Sequence, residues 1–278
     1  FEPTRAIELI AKKKITWLMG VPATYLFMSQ EPSFDTADFS SVRVMVVGGA
    51  PMPEALLETY AARGIDVVQG YGLTETAPNA LLLPSESAGS KAGSAGKPYF
   101  FSDTRLMDEA GQLLEPPATG EIVVRGPIVM EGYWRREDAT AEAIRDGWLH
   151  TGDVGRTDEE GFFWVVDRKK DMIISGGENV YPAEIENILY QMDGVAEAAV
   201  IGIPDAKWGE TVHAIVVPKP GLGLSVDDVA AHCKASLAKF KVPRSIETRT
   251  DPLPRTPAGK VKKTELRAPF WEGRAKQI

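Results

Sequence analysis

The sequence has 278 residues but a single cysteine, Cys233, and only three histidines. One thiol excludes an intramolecular disulfide and any metal cluster built on several thiolates. His150, His213 and His232 are scattered without ligand spacing, which argues against a histidine metal site. No apolar run approaches the roughly 18 residues of a membrane span, and the start lacks the basic-then-apolar order of a signal peptide. No serine or cysteine stands in a G-x-S-x-G turn, so hydrolase chemistry has no support. A lone cysteine suits a reducing compartment, and a soluble, cytoplasmic protein is expected. The first residue is Phe1 rather than methionine, which looks like the inside of a longer protein.

The chain also lacks a basic excess: 31 lysines and arginines stand against 39 acidic residues, for a net charge of −8. A general nucleic-acid surface is disfavoured on that balance. The acid is unevenly spread, with 15 basic and 25 acidic groups up to Arg168 and 16 and 14 after it. The stretch from Arg255 to Lys276 is locally basic, which fits a solvated face or a small phosphate-bearing ligand. With 44% hydrophobic and 25% charged residues the composition is that of a folded chain, long enough for two domains.

The hydrophobic pattern divides the chain into three textures. Residues 1–92 alternate strand and helix patterns: Ile7 and Ile10 have helical spacing, "ITWLMG" suits a buried strand, and "VRVMVVGGAPMPEALLETYAARGIDVVQGYG" reads as strand, glycine turn, helix and strand. Such alternation predicts an α/β region with a parallel sheet whose ligands lie beyond the strands' carboxyl ends. Residues 93–168 carry short strand candidates between Gly-, Pro- and Asp-rich turns, predicting a small antiparallel sheet or barrel-like subdomain. Residues 169–278 return to alternation, with a helix from Pro182, paired strands near Val195–Ile203 and Thr211–Val217, a helix from Ser225, a strand near Ile246 and a terminal helix. That pattern predicts a separate α+β domain.

Several loops combine residues suited to a nucleotide. "GGAPMP" follows a strand, where glycines permit close backbone approach, though a plain strand-to-helix turn uses the same residues. "QGYGLTE", Gln69 to Glu75, puts a ring able to stack, a hydroxyl able to donate to phosphate and a carboxylate able to hold Mg²⁺ in one loop. Thr74 and Glu75 equally suit a helix cap. Asp153 in "DGWLHTGD" fits a turn residue or an acceptor for both ribose hydroxyls. "DRKKDMIISGG" gathers charge before a glycine pair at the boundary of the textures, as either a charged linker or a hinge does. Lys260 follows Gly259 in a Pro-rich loop that can aim a cation at developing phosphate charge.

In this order, "GGAPMP", "QGYGLTETAP", "GYW", "DGWLHTGD", "DRKKDMIISGGENVYPAEIE" and "LPRTPAGK" resemble successive signatures of the adenylate-forming acyl-CoA synthetases, a family that includes luciferases and nonribosomal-peptide adenylation domains. The resemblance covers essentially the whole chain. Members carry an upstream Ser/Thr/Gly-rich phosphate loop ending in Pro-Lys that residues 1–278 do not contain, so the chain resembles the carboxyl-terminal half of such an enzyme. The resemblance implies ATP-dependent, AMP-forming activation of a carboxylic acid as an acyl-adenylate, followed by transfer to coenzyme A. It also implies ATP/AMP, Mg²⁺ and coenzyme A as ligands. A carrier-protein thiol as acceptor, a luciferase-like oxygenase and a non-catalytic nucleotide-binding fragment share these motifs.

Position by position, the resemblance implies that Gly49, Ala50 and Pro51 line the adenine slot and that Gln69, Gly70, Tyr71, Gly72 and Leu73 complete it, with Tyr71 on the base. Thr74 contacts phosphate, Glu75 holds Mg²⁺, Asp153 binds ribose and Arg168 bridges ribose and phosphate. Lys260 serves adenylation, and Lys170 is the hinge about which the residues after it rotate. Ser175, Gly176 and Gly177 then line the pantetheine tunnel, while Trp208, Phe240 and Arg244 resemble contacts of coenzyme A. Trp17, Met19, Val21 and Tyr25 resemble acyl-pocket walls whose apolar character suits a fatty or aryl acid.

Overall fold

The computed structural model describes residues 1–257 and 259–273. It divides into two compact units, residues 1–165 and 166–278.

The first unit opens with helix α1 (Pro3–Lys13), which has proline in its first turn, Ile7 and Ile10 on its buried face and a left-handed Lys14 closing it. Strand β1 (Trp17–Gly20), helix α2 (Pro22–Ser29), strand β2 (Val44–Val47), helix α3 (Glu54–Ala61) and strand β3 (Val67–Tyr71) follow. β1, β2 and β3 run parallel, with Gly20 opposite Val47 and Val47 opposite Gln69, so their carboxyl ends share one edge. β4 (Leu81–Leu82) and β5 (Lys97–Pro98) extend this sheet antiparallel. The parallel run ends there because the short link from Gly72 to Ala80 has no room for a crossover helix. Beneath the sheet the Tyr25 and Tyr60 rings meet edge to face at 5.5 Å, both fully buried, among Met28, Met45 and Phe34.

Strands β6 (Asp103–Met107), β7 (Leu113–Leu114), β8 (Thr119–Arg125), β9 (Ile144–Arg145), β10 (Trp148–Thr157) and β11 (Phe163–Arg168) make a second sheet in the order β11-β10-β8-β6-β7, with β9 beside β10 and helix α4 (Glu137–Ala143) before β9. In it β10 pairs with β8, β8 with β6 and β6 with β7, each antiparallel. Of the two forms expected for residues 93–168, an antiparallel sheet or a barrel-like subdomain, the described residues form the sheet, which is open with β11 and β7 at its ends. Strands as short as β7 and β9 cannot carry the continuous stagger that closure requires.

In the second unit a sheet of order β13-β12-β15-β14 is built from β12 (Ile173–Ser175), β13 (Glu178–Val180), β14 (Val195–Asp205) and β15 (Gly209–Pro218), with β16 (Ser245–Thr248) parallel to β15. Helices α5 (Pro182–Tyr190) and α6 (Val226–Ser236) pack on one face, where Ile185 and Leu189 of α5 and Val229 and Cys233 of α6 share a core with Val200 and Val212 of the sheet. Helix α7 (Lys263–Trp271) puts Leu266 on the other, over Ala199, Ile201 and Ile215. Covered on both faces, β14 and β15 read as nearly continuous apolar runs rather than alternations. Ser225 caps α6 by accepting from the Asp228 N–H at 3.1 Å. No helix among the described residues is long and apolar enough to cross a membrane.

Candidate functional site

The loops leaving β2 and β3 are joined by one buried side chain. Gln69, 5% exposed, accepts from the Met52 N–H at 3.0 Å and donates to the Ser94 carbonyl at 3.3 Å, which clamps Gly48–Pro53 against the end of β3. Gly49 (φ +83°), Ala50 and Pro51 are exposed beside it. Gly70 faces this loop, its carbonyl lying 3.5 Å from where a side chain on Gly48 would begin. Gly72 is demanded by the chain itself: a Cβ there would stand 1.5 Å from the Pro78 carbonyl oxygen. The turn from Leu73 to Thr76 folds back through the Thr76 hydroxyl, which accepts from the Leu73 N–H at 2.9 Å. Thr74 is left at the surface.

Asp153 arrives at this edge through a defect in the second sheet. The β10–β8 register breaks between His150 and Val154, and Gly152 in the bulge is left-handed at φ +70°. Glu121, directly across, accepts from the Gly152 N–H at 3.1 Å with one oxygen and lies 3.2 Å from His150 Nδ1 with the other. Thr151 donates to the Ile122 carbonyl at 2.7 Å and accepts from the Asp153 N–H. The bulge turns the Asp153 carboxylate, 4% exposed, toward β3, where it accepts from the Tyr71 hydroxyl at 2.8 Å. Residues 82 positions apart thereby share one charge-assisted contact.

Glu75 has its own partner from a distant loop. The Tyr133 hydroxyl donates to its carboxylate at 2.8 Å, and the Met130 N–H donates to its carbonyl at 2.9 Å. The bond to Glu75 raises the Tyr133 phenol above its usual value. Of the four residues singled out as acyl-pocket walls, Trp17 and Met19 are each 56% exposed on alternate positions of β1, and Val21 precedes α2 in extended form. Tyr25 does not join them. It is wholly buried, its hydroxyl donating to the Val46 carbonyl at 2.7 Å, which makes it a core residue.

The remaining candidates belong to the second unit. Arg168 ends β11 and Lys170 sits in the turn Lys169–Asp171. The segment is tied down by Asp167, which accepts from the Arg168 N–H at 2.7 Å and, at the start of α5, from the Ala183 N–H at 2.9 Å. Arg267 pairs with Asp171 and donates to the Lys170 carbonyl at 3.4 Å. Burial pushes Asp167 up from its ordinary 3.8 to about 6, the nearby Lys263 opposing the rise. The folded state therefore holds a proton between those values that the unfolded chain releases, and stability from this group is lost as pH rises through that window. Relative to Asp167→Asn, the natural protein should gain about 2 kcal/mol in urea denaturation between pH 7 and pH 4.5. A difference that stays constant with pH would contradict this origin.

Ser175, Gly176 and Gly177 close the β12–β13 hairpin, with Ser175 buried and the glycines exposed and left-handed. Trp208 packs against the turn: its carbonyl accepts from the Gly176 N–H at 2.8 Å, and its ring leaves no room for a side chain on Gly176, whose Cβ would lie 2.5 Å away. Arg244 stacks over the same ring at 4.5 Å. Phe240, 38% exposed, lies beside Lys241 on the segment after α6. Lys260 is exposed on a tight turn whose Thr256 N–H donates to the Lys260 carbonyl at 2.8 Å. Ala258 of the same motif lies outside the described residues.

The model of the AMP-binding enzyme family matches residues 1–134, and that of the AMP-binding enzyme C-terminal domain matches residues 184–260. The chain belongs to this family, that of the adenylate-forming acyl-CoA synthetases. Among its relatives, a feruloyl-CoA synthase from Amycolatopsis is 49% identical over 97% of this chain and 55% of its own length. A long-chain-fatty-acid–CoA ligase of Mycobacterium tuberculosis is 44% identical over 97% of the chain and 53% of its own length. An o-succinylbenzoate CoA synthetase from Bacillus subtilis, solved with its acyl-adenylate intermediate, superposes at a TM-score of 0.84 with 38% identity, over 96% of this chain and 54% of that one. The chain spans about half the length of the curated relatives it matches.

Three residues of this AMP-binding enzyme chain are brought beside the candidate residues of their own units only by the fold. Glu121 braces the Asp153 bulge, Tyr133 holds Glu75, and Arg255 reaches across the Lys260 turn. Glu121 begins an ordinary strand pattern, and nothing in its sequence neighbourhood marks it. Tyr133 stands in the "GYW" signature, which by itself assigns no partner.

Proposed function

We propose that the chain carries the nucleotide, hinge and coenzyme A elements of an AMP-forming acid:CoA ligase acting on an aryl or fatty carboxylic acid. The observation that supports this most is the Tyr71–Asp153 bond at the carboxyl edge of β3. It sets a ring able to stack on adenine beside a carboxylate able to accept ribose hydroxyls, next to the Gln69-clamped glycine loop. On this reading residues 1–92 and 93–168 form the large domain and residues 169–278 the mobile one, turning about Lys170. The buried thiol of Cys233 fits a reducing cytoplasm.

The acid's carboxylate attacks the α-phosphate of ATP, releasing pyrophosphate and leaving an acyl-adenylate. The thiol of coenzyme A then displaces AMP and forms the thioester. Lys260 would offset charge on the acid and the α-phosphate during the first step, with Arg168 and Thr74 on ribose and phosphate. Glu75 would hold Mg²⁺, which neutralises phosphate charge. No cluster of three metal-binding side chains occurs among the described residues, and one carboxylate suits an ion otherwise bound by phosphates and water. Ser175, Gly176 and Gly177 would then line the thiol path, with Trp208, Arg244 and Phe240 toward the nucleotide of coenzyme A.

Carboxylate-dependent exchange of labelled pyrophosphate into ATP tests this reading, using this chain and the protein encoded by the complete reading frame. Aryl and fatty acids should support exchange and amino acids should not; no exchange with any acid would overturn it. The acceptor is tested beside it, because a fatty acid–[acyl-carrier-protein] ligase of Streptomyces coeruleorubidus is 44% identical over the whole chain and 54% of its own length. Thioester formed on a carrier protein but not on coenzyme A would favour that second reading.

A further inference from the structure

Lys260 sits on a turn closed mainly by its own backbone. Arg255 and Val261 form a single antiparallel bridge, the Gly259 N–H donates to the Thr256 carbonyl at 2.8 Å, and the Lys262 N–H donates to the Pro254 carbonyl at 2.8 Å. The Lys260 N–H adds a bond to the Thr256 hydroxyl at 3.2 Å. These bonds shape the turn, Val261 at its end packs on the Ala199, Ile201 and Ile215 cluster of the sheet, and the Arg255 side chain adds a polar tie between the turn and the sheet. Its Nη1 donates to the Gly259 carbonyl, immediately before Lys260, at 2.9 Å, and its Nη2 pairs with Glu197 on β14. Glu197 is 7% exposed and follows the register shift at Val195 in the β14–β15 ladder, the best-paired part of the second unit.

A guanidinium suits this task because its rigid fork holds a carbonyl and a carboxylate at once, whereas an ammonium on a flexible stem does not fix both directions. An exposed lysine on an unbraced turn would sample many positions, and a charge displaced by about 1 Å loses much of its effect on a developing transition state. We infer that Arg255, backed by Glu197, is the positioning residue that fixes the Lys260 turn on the sheet and so serves adenylation specifically. Its role in adenylation rests on the function proposed above; its hold on the turn does not.

The test is Arg255→Lys in the protein from the complete reading frame, with two readouts. Amide hydrogen exchange across residues 255–262 should rise at least tenfold while exchange in β14 and β15 stays unchanged. Acyl-adenylate formation should fall at least tenfold in kcat with KM for ATP within twofold, and thioester formation from preformed acyl-adenylate should persist. Unchanged exchange in the turn, or equal loss in both half-reactions, would overturn the inference. Raised exchange in a protein whose unsubstituted form makes no adenylate would uphold the brace and sink the functional reading instead. If Arg255→Lys does not fold, Glu197→Gln, which keeps the shape and removes the charge, decides by the same exchange measurement.

Discussion

Lys260→Ala, made in the protein from the complete reading frame, should lower acyl-adenylate formation by roughly 10²- to 10³-fold, the range seen when one preorganised group facing developing charge is removed. Thioester formation from preformed acyl-adenylate should change by no more than a few-fold. The asymmetry follows from the chemistry of the steps. Negative charge gathers on the α-phosphate as the carboxylate attacks, whereas the thiol step starts from a mixed anhydride already formed. Lys260 is itself exposed, so alanine removes the ammonium without opening a cavity in the core. Single-turnover measurements of each half-reaction separate the cases, and equal losses in both would remove Lys260 from the adenylation step.

Gly72→Ala should destabilise the first unit by about 3 kcal/mol or more, toward the upper end of overpacking effects. The added methyl would fall 1.5 Å from the Pro78 carbonyl oxygen and 2.5 Å from its carbon, and these are backbone atoms that cannot swing aside. Relief requires the turn from Leu73 to Pro78 to open. Opening would break the Thr76–Leu73 bond and shift Tyr71, just before the turn, and Glu75 within it. Urea denaturation and nucleotide binding should therefore both suffer, stability most. An unchanged midpoint would mean that the close approach at Pro78 is absent in solution. The resemblance assigns Gly72 to the nucleotide; the chain's own crossing supplies a sufficient reason for glycine whether or not a base approaches it.

The family, the α/β opening and the strands and helices of residues 169–278 were legible in the residues because each rests on local information. Pro3, Pro22 and Pro182 start helices, Gly64 ends one with left-handed backbone, and the apolar runs of β14 and β15 announce a sheet covered on both faces. The motif order identified the family because turn glycines, a stacking ring and charged loops recur at fixed places along the chain. An open sheet rather than a barrel for residues 93–168 was not legible, since short alternating strands look alike in both and closure depends on which edges meet. Tyr25 shows the same limit on the scale of one side chain. Beside Trp17 and Met19 in sequence it passes for a pocket wall, but the helical turn of α2 points it into the core, against Tyr60 and the Val46 carbonyl.

By itself, then, the sequence determined which elements form and which residue types stand at the ends of the strands, because propensity, periodicity and turn chemistry act over a few neighbours. Only the tertiary structure decided which of those residues meet. Tyr71 finds Asp153 because a bulge braced by Glu121 turns one sheet's carboxylate toward another sheet's edge. Lys260 is held because Arg255 spans from its turn to Glu197, 58 positions away. Such pairings depend on register and on packing between distant segments, and no local pattern in the chain encodes them.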